Sequence, residues 1–559
     1  MPITTEAAFN AACKASSLAY DAVYPAPAAP GSGETYTVTG PDIRDPAVTE
    51  NGTPCKFVAG TNPSDTNYAF AVRAIDAVGN PSAFSTTSVA DVDLALRYAL
   101  ISGTGTPYGD PLLNKRIASV GDLDGDGLGD VAVGGGTGTM GDTFCVVYGN
   151  STGTGKTVPD LEISSATGAR HLCLTGTSGS YFGVPVAEAG DVNGDGVGDL
   201  LVGEGKSAAQ AVKVWFGVAG GPLAAAPNLA ITGSTSNVNS VSMAGAGDFD
   251  GDGVDDLLVA SRSESKVFVV PGNTSWTAAT SLSIDLQDAT DRAAYGIVTM
   301  VMTGGDATTR FGFRVAFVGD LDGDGRDEAA VATYAVPSQV LVFQGRALPG
   351  DSTISVAVGS GGTDDATVVR LAPDAPTAAG SFGNTALAGE QDLDRDGTPD
   401  IVVTHASAGA LAGSKTVYLF RGGYLKTRFG QTVQVLATSG TGTGIVQNER
   451  GFVISGLYDV ALPIGNFDND PDGTPELAYI IPTSGAHGKV FIRRNARNPS
   501  GAFPHGTMPY ESPVLVDPLD PTGVRFGYFG AIPVGDFNGD GFPDLLVGTD
   551  GAGYAMIVY

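Results

Sequence analysis

Four-residue apolar runs recur along this chain, each bounded by polar or glycine-rich turns. They are VAVG at Val131, LLVG at Leu200, LLVA at Leu257, AAVA at Ala329, IVVT at Ile401, LAYI at Leu477 and LLVG at Leu545. A second set, rich in β-branched and aromatic residues, follows about ten residues later: FCVVYG at Phe144, VKVWFG at Val212, KVFVVPG at Lys266, QVLVFQG at Gln339, KTVYLFRG at Lys415 and KVFIRR at Lys489. A small-residue run such as GVPVAEAGD precedes each unit, and a more variable run such as LAITGS at Leu229 follows it. Short apolar segments between glycine-rich turns predict strands. Four strands per unit and seven units predict an all-β fold, a seven-bladed β-propeller with four-stranded blades.

Between the first and second strand of each unit lies an acidic loop. The loops start at Asp122, Asp191, Asp248, Asp320, Asp392, Asn466 and Asp536, at intervals of 57 to 74 residues. Numbered 1 to 9, each has Asp or Asn at positions 1, 3 and 5, Gly at 6, and Asp or Glu at 9. Alternating carboxylates on a tight turn suit a hard cation that takes six to eight oxygen ligands, one of them the carbonyl of position 7. The candidate ligand sets are Asp122, Asp124, Asp126, Leu128 and Asp130; Asp191, Asn193, Asp195, Val197 and Asp199; and Asp248, Asp250, Asp252, Val254 and Asp256. They continue with Asp320, Asp322, Asp324, Arg326 and Glu328; Asp392, Asp394, Asp396, Thr398 and Asp400; and Asp536, Asn538, Asp540, Phe542 and Asp544. The sixth loop carries two extra residues, and its set is Asn466, Asp468, Asp472 and Glu476, with Asp470 as an alternative. Asp and Gly form turns without metal, so one copy says little. Seven copies in register, each holding like charges together, predict up to seven Ca2+ ions. An EF-hand is excluded because an apolar strand, not an amphipathic helix, follows position 9.

These units resemble FG-GAP repeats, the family that builds the amino-terminal propeller of integrin alpha subunits. The Phe-Gly signature stands nine or ten residues before the loop at Phe182-Gly183, Phe311-Gly312, Phe382-Gly383 and Phe526-Gly527, and is missing from the first, third and sixth units. The resemblance covers about 91–559 and implies calcium sites in a hairpin of each blade. The last unit ends after its third strand, YAMIVY at Tyr554–Tyr559, while DLALRYALISG, about 93–103, stands unassigned upstream. The expectation is that this upstream segment completes the last blade and clasps the ring.

Residues 1–90 are expected to form a separate, partial β-sandwich. NYAFAVRAIDAVGNPSAFS, from Asn67, resembles the last two strands of a fibronectin type III domain, with Tyr68 where a tyrosine corner would sit, and TYTVTG at Thr35 resembles the strand before. The first strands of such a sandwich are not recognisable, which suggests that Met1 is an internal or artificial start.

Acidic residues outnumber basic ones 60 to 30, and the loops hold 25 of the 60. Seven divalent ions would bring the formal charge from −30 to −16. Such a surface argues against nucleic acid and anionic membranes as partners. No transmembrane run is present, and MPITTEAAFN lacks the features of a signal peptide. Four cysteines, Cys13, Cys55, Cys145 and Cys173, offer Cys13–Cys55 and Cys145–Cys173 as pairings. An even count and calcium loops suit an extracellular or cell-surface protein.

Histidine is scarce, at His171, His405, His487 and His505, and none sits in a metal pair or nucleophile motif. Aromatics near turns on the ligand-binding face are Tyr181, Trp215, Trp276 and Tyr295, with Trp215 better placed as core. The function expected is a non-catalytic, calcium-binding adhesion module, a monomeric propeller presenting one face to a protein or glycan. The alternative is a propeller enzyme or accessory domain acting on polysaccharide.

Overall fold

In the first blade the innermost strand, Ile117–Gly121, turns through the acidic loop into Asp130–Gly134, which pairs antiparallel with Thr143–Val147 and then His171–Thr175. The computed structural model repeats this meander seven times. It describes residues 49–50, 53–54, 67–70 and 88–91, and most of 98–559 apart from connecting segments, the longest being 494–513 and 104–116.

The innermost strands of the other blades are Val186–Gly190, Val241–Gly247, Arg314–Phe317, Gly380–Gln391, Val460–Pro463 and Arg525–Pro533. Their successive contact around the ring forms the inner wall of the propeller. The seventh sheet is completed from the other end of the chain. Tyr98–Gly103 lies antiparallel to Tyr554–Val558, pairing Ala99 with Ile557 and Ile101 with Ala555.

Each blade is built on four antiparallel strands. Five sheets gain a fifth, and four of these additions are parallel donations from the blade that follows. Leu282–Asp285, between the third and fourth strands of blade 3, pairs with Leu229–Thr232 of blade 2. Thr353–Ala357 of blade 4 extends blade 3, Thr432–Val433 of blade 5 extends blade 4, and Leu161–Ile163 of blade 1 extends blade 7. Each such connection is long enough to cross back over the neighbour, so its backbone N–H and C=O groups are satisfied there rather than in its own sheet. In blade 5 the fifth strand, Gly444–Asn448, is local and antiparallel.

Apolar packing runs between blades. Leu257 and Phe268 of blade 3 bury against Leu201 and Val214 of blade 2, and Ile101 and Ile557 of blade 7 against Val131 and Val133 of blade 1. Second strands such as Asp199–Glu204 and Asp256–Ser261 are buried on both faces, which is why they read as unbroken apolar runs. The Phe-Gly signature has a steric basis. Phe182, Phe311 and Phe382 are buried, and Gly183 has φ +79, where a Cβ would lie only 2.8 Å from the Phe144 ring. Trp215, expected in the core, and Trp276, a candidate for a ligand face, both lie in these cores, Trp215 edge-on to Phe182 and Trp276 stacked on Phe216. Tyr295 is half-buried against the core between blades 2 and 3, and Tyr181 lies outside the described residues. His405 is buried beside Phe382 and Tyr418.

The chain divides into two compact units, Met1–Leu96 and Arg97–Tyr559. In the first, Thr49–Glu50 pairs with Thr53–Pro54 and Asn67–Phe70 with Ser88–Asp91. Cys13, Cys55 and the TYTVTG segment lie outside the described residues. Cys145 and Cys173 face each other across the third and fourth strands of blade 1 and are disulfide-bonded. No helix among the described residues is long and apolar enough to cross a membrane.

Candidate metal centres in the hairpin loops

Position 1 shapes each loop. Asp122 accepts the amide of Asp126 on Oδ1 (3.1 Å) and that of Gly127 on Oδ2 (2.7 Å). Asp191, Asp248, Asp320, Asp392 and Asp536 repeat both bonds. Position 6 closes the turn with φ between 86 and 92° at Gly127, Gly196, Gly253, Gly325, Gly397 and Gly541. A Cβ there would meet open space, so backbone conformation alone requires glycine. Position 5 turns inward, Asp126 accepting from the amide of Leu128 and Asp195 from that of Val197.

Position 9 is buried in all seven loops, at Asp130, Asp199, Asp256, Glu328, Asp400, Glu476 and Asp544. In the first loop Asp130 accepts the amide of Leu123 (2.9 Å) and, on its other oxygen, that of Gly149 just past the third strand (2.8 Å). Asp199, Asp256, Glu328 and Asp400 likewise tie their loops to Gly217, Gly272, Gly345 and Gly422. Each of these glycines ends an apolar-aromatic run of the sequence, and a Cβ on Gly217 would lie 2.2 Å from the Gly198 carbonyl. Desolvation, opposed by these amides, raises Asp130, Asp199, Asp256, Glu328 and Asp544 to about 8.

Position 3 completes the cluster. One oxygen each of Asp122, Asp124 and Asp130 lie within 4.8 Å of one another, as do those of Asp248, Asp250 and Asp256, of Asp320, Asp322 and Asp324, and of Asp392, Asp394 and Asp400. In the fourth loop the grouped third acid is therefore Asp324 rather than Glu328. Desolvation raises Asp124, and Asp126 and Asp122 raise it further. Its Oδ1 is buried without a hydrogen-bond partner, which leaves its lone pairs able to take a cation. Desolvation and Asp396 bring Asp394 to about 6 even though Arg421 Nε pairs with it at 3.0 Å.

The variants differ locally. Asn193 and Asn538 donate to the carboxylates of Asp195 and Asp540, and each accepts that residue's amide. At position 7 of the fourth loop the Arg326 side chain reaches back to the Asp250 carbonyl (2.9 Å). In the sixth loop Asp468, Asp470 and Asp472 lie outside the described residues, and Glu476 alone of its acids is placed, buried.

A layer that the ligand pattern does not announce joins neighbouring loops. Position 8 amides donate to position 1 carbonyls of the preceding blade, Gly129 to Asp536, Gly198 to Asp122, Asp255 to Asp191 and Asp327 to Asp248. Beyond the third strand, Asn150, Val218, Asn273 and Arg346 donate to the position 2 carbonyls of Phe537, Leu123, Val192 and Phe249.

Residues 191–259 match the FG-GAP-like repeat family and residues 529–559 the FG-GAP repeat family, so the chain carries FG-GAP repeats on a seven-bladed propeller. Human integrin alpha-IIb is 34% identical over 123 residues, which are 21% of this chain and 10% of the integrin. A crystallised lectin from Burkholderia pseudomallei is similar over 79% of this chain and 98% of its own, with 12% identity and a TM-score of 0.37.

Proposed function

We propose that this protein is a calcium-stabilised, non-catalytic binding module working outside the cell, with up to seven Ca2+ ions in its hairpin loops and one propeller face free for a protein or glycan. The observation that carries the reading is the clustering of loop carboxylates, above all the buried, unpartnered Oδ1 of Asp124 beside Asp122 and Asp130. Bound calcium would supply the positive charge that these clusters lack. Position 1 residues hold the turn, position 9 residues anchor it in five loops to the glycine past the third strand, and position 3 presents an unfilled oxygen at Asp124. The partial likeness to integrin alpha-IIb supports an extracellular setting. The amino-terminal segment, read as part of a fibronectin type III-like sandwich, fits the same modular setting.

The test is thermal unfolding and calcium calorimetry on the whole protein. A ligand at a hundredfold excess over its dissociation constant adds about 2.7 kcal/mol per site, so several filled loops raise the melting temperature by many degrees over chelator-treated protein. A calorimetric stoichiometry of one or none, with superimposable melts, overturns the calcium reading. Reproducible turnover of a polysaccharide by the pure protein overturns the non-catalytic one.

A further inference from the structure

At the rim opposite the acidic loops, two arginines and two aromatic rings stack between blades 3 and 4. Arg262 directly follows the second strand of blade 3, Phe313 directly precedes the innermost strand of blade 4 with Arg310 a few residues before it, and Tyr334 follows that blade's second strand. Innermost strands run toward the loops and second strands run away from them, so all four residues share the far rim. The Arg262 guanidinium sits over Phe313, 4.3 Å from the ring centre. Phe313 stacks on Tyr334 at 4.9 Å and 28°, and Arg310 covers Tyr334 at 5.0 Å. Tyr334, 39% exposed, is the exposed large hydrophobic residue among those described.

The chain carries a formal charge of −30, yet no described acid is paired with either cation. Arg262 and Arg310 form no ion pair with any described residue, and Arg262 Nε is buried without a hydrogen-bond partner. Arg314 stands close enough for its charge to act on Arg262. Desolvation, then Arg310 and Arg314, lower Arg262 to about 10, so the pocket disfavours positive charge and holds it nonetheless. Stacking on a ring fixes a guanidinium in plane and leaves its N–H edge to meet an oxyanion bidentately.

We propose that Arg262 and Arg310, splinted by Phe313 and Tyr334, form a subsite for the carboxylate or sulfate groups of an acidic glycan. The proposal rests on the binding-module reading and names the ligand class for that rim. A glycan is favoured over an acidic peptide because its charges are fixed on rigid rings at a regular repeat. It can meet both cations while losing less side-chain freedom than a peptide would. The exposed part of Tyr334 adds apolar contact for sugar C–H groups.

The test is calorimetric titration of the full, calcium-loaded protein with an oligouronate, a sulfated oligosaccharide, a neutral oligosaccharide of equal length and an oligo-glutamate peptide. Binding of one or both acidic sugars is expected, weakening about tenfold in Arg262→Gln and in Arg310→Gln, since a bond to a charged group is worth about a factor of ten. Calcium stoichiometry and the melt should match wild type in both variants, which separates loss of the subsite from loss of the fold. Three results overturn the inference: no binding of either acidic sugar, binding unchanged in both variants, or arginine-dependent binding of the peptide alone. Calcium-stabilised wild-type protein that fails only the sugar titrations leaves the calcium reading standing and removes this one, whereas absent calcium binding strikes the broader reading first.

Discussion

Asp327 and Asp248 hold each other across two blades: the Asp327 amide donates to the Asp248 carbonyl at 2.8 Å, and the Asp327 carboxylate accepts the Asp248 amide at 3.0 Å. Asp248 is position 1 of one candidate metal loop and Asp327 is position 8 of the next. Asp255 and Asp191 make the same double link, at 3.2 and 2.7 Å. The loops of blades 2, 3 and 4 are thus one connected framework, and an ion that orders one position 1 carboxylate also braces its neighbour. Where position 8 is Pro399, Pro475 or Pro543 the amide donor is absent and the link cannot form.

Asp327→Ala removes the acceptor of the Asp248 amide while leaving the ligand set of both loops intact. A loss of about 1–3 kcal/mol is expected for the stranded donor, with calcium affinity falling in the third loop, whose ligands are untouched. Chemical denaturation with and without calcium, together with calorimetry, checks this. An unchanged affinity would mean that the loops fill independently.

Positions 3 and 9 should fail in opposite directions. For Asp124 the surroundings disfavour the charge on balance, desolvation and then Asp126 and Asp122 outweighing the Asp126 amide. Asp124→Asn should therefore weaken calcium binding yet leave the chelator-treated protein as stable as wild type or more so. Asp256 is buried and binds the amides of Phe249 and Gly272. Asp256→Ala should cost about 2–4 kcal/mol even without calcium, since one buried and one half-buried donor lose their acceptor. Melting curves in chelator decide the matter, and equal behaviour of the two variants would refute the division of roles.

Much of this is legible in the residues. Periodicity marks the blades, and the glycine ending runs such as VKVWFG at Gly217 marks the site where position 9 reaches the third strand. The fifth strands are not legible, because Leu282–Asp285 carries no unusual pattern and its partner is set by where the connection lies in space. Position 8 escapes notice because it varies from Gly129 to Asp255 to Pro399, and its importance lies in a backbone amide that every residue but proline possesses. Trp215 and Trp276 stand out as large aromatics yet belong to the core, while Tyr334, inconspicuous in sequence, is exposed. Its contacts with Arg310 and Phe313 join the two open ends of one hairpin, which the residue pattern alone does not announce.

The inner wall gives a pH prediction from a group that is not itself a candidate ligand. Glu188, on the innermost strand of blade 2, is pushed up by desolvation and by Asp255. An acid with a raised folded value binds its proton more tightly folded than unfolded. Its stabilising contribution is complete below the unfolded value near 4.5 and is lost as pH rises through the raised one. Glu188→Gln should stabilise the protein at pH 8 and change little at pH 4.5. Parallel melts across that range check the sign, and a variant less stable than wild type at pH 8 would contradict it.

The clasp at the ring seam makes the final prediction. Ile101 is 2% exposed, and its strand, Tyr98–Gly103, is the fourth strand of the last blade and the partner of Leu161–Ile163 from the first. Ile101→Ala should cost about 2–5 kcal/mol, the usual range for a buried large-to-alanine change. Deleting residues through Gly103 should do more, because it bares the outer edge of Tyr554–Val558 and removes the anchor of Leu161–Ile163 together. Because neighbouring blades share their cores, the loss should spread from the seam, broadening the melt and leaving an edge prone to self-association. Denaturation and sedimentation of the two variants test this. A deletion that melts as sharply as wild type and sediments as wild type does would show that the ring does not depend on its clasp.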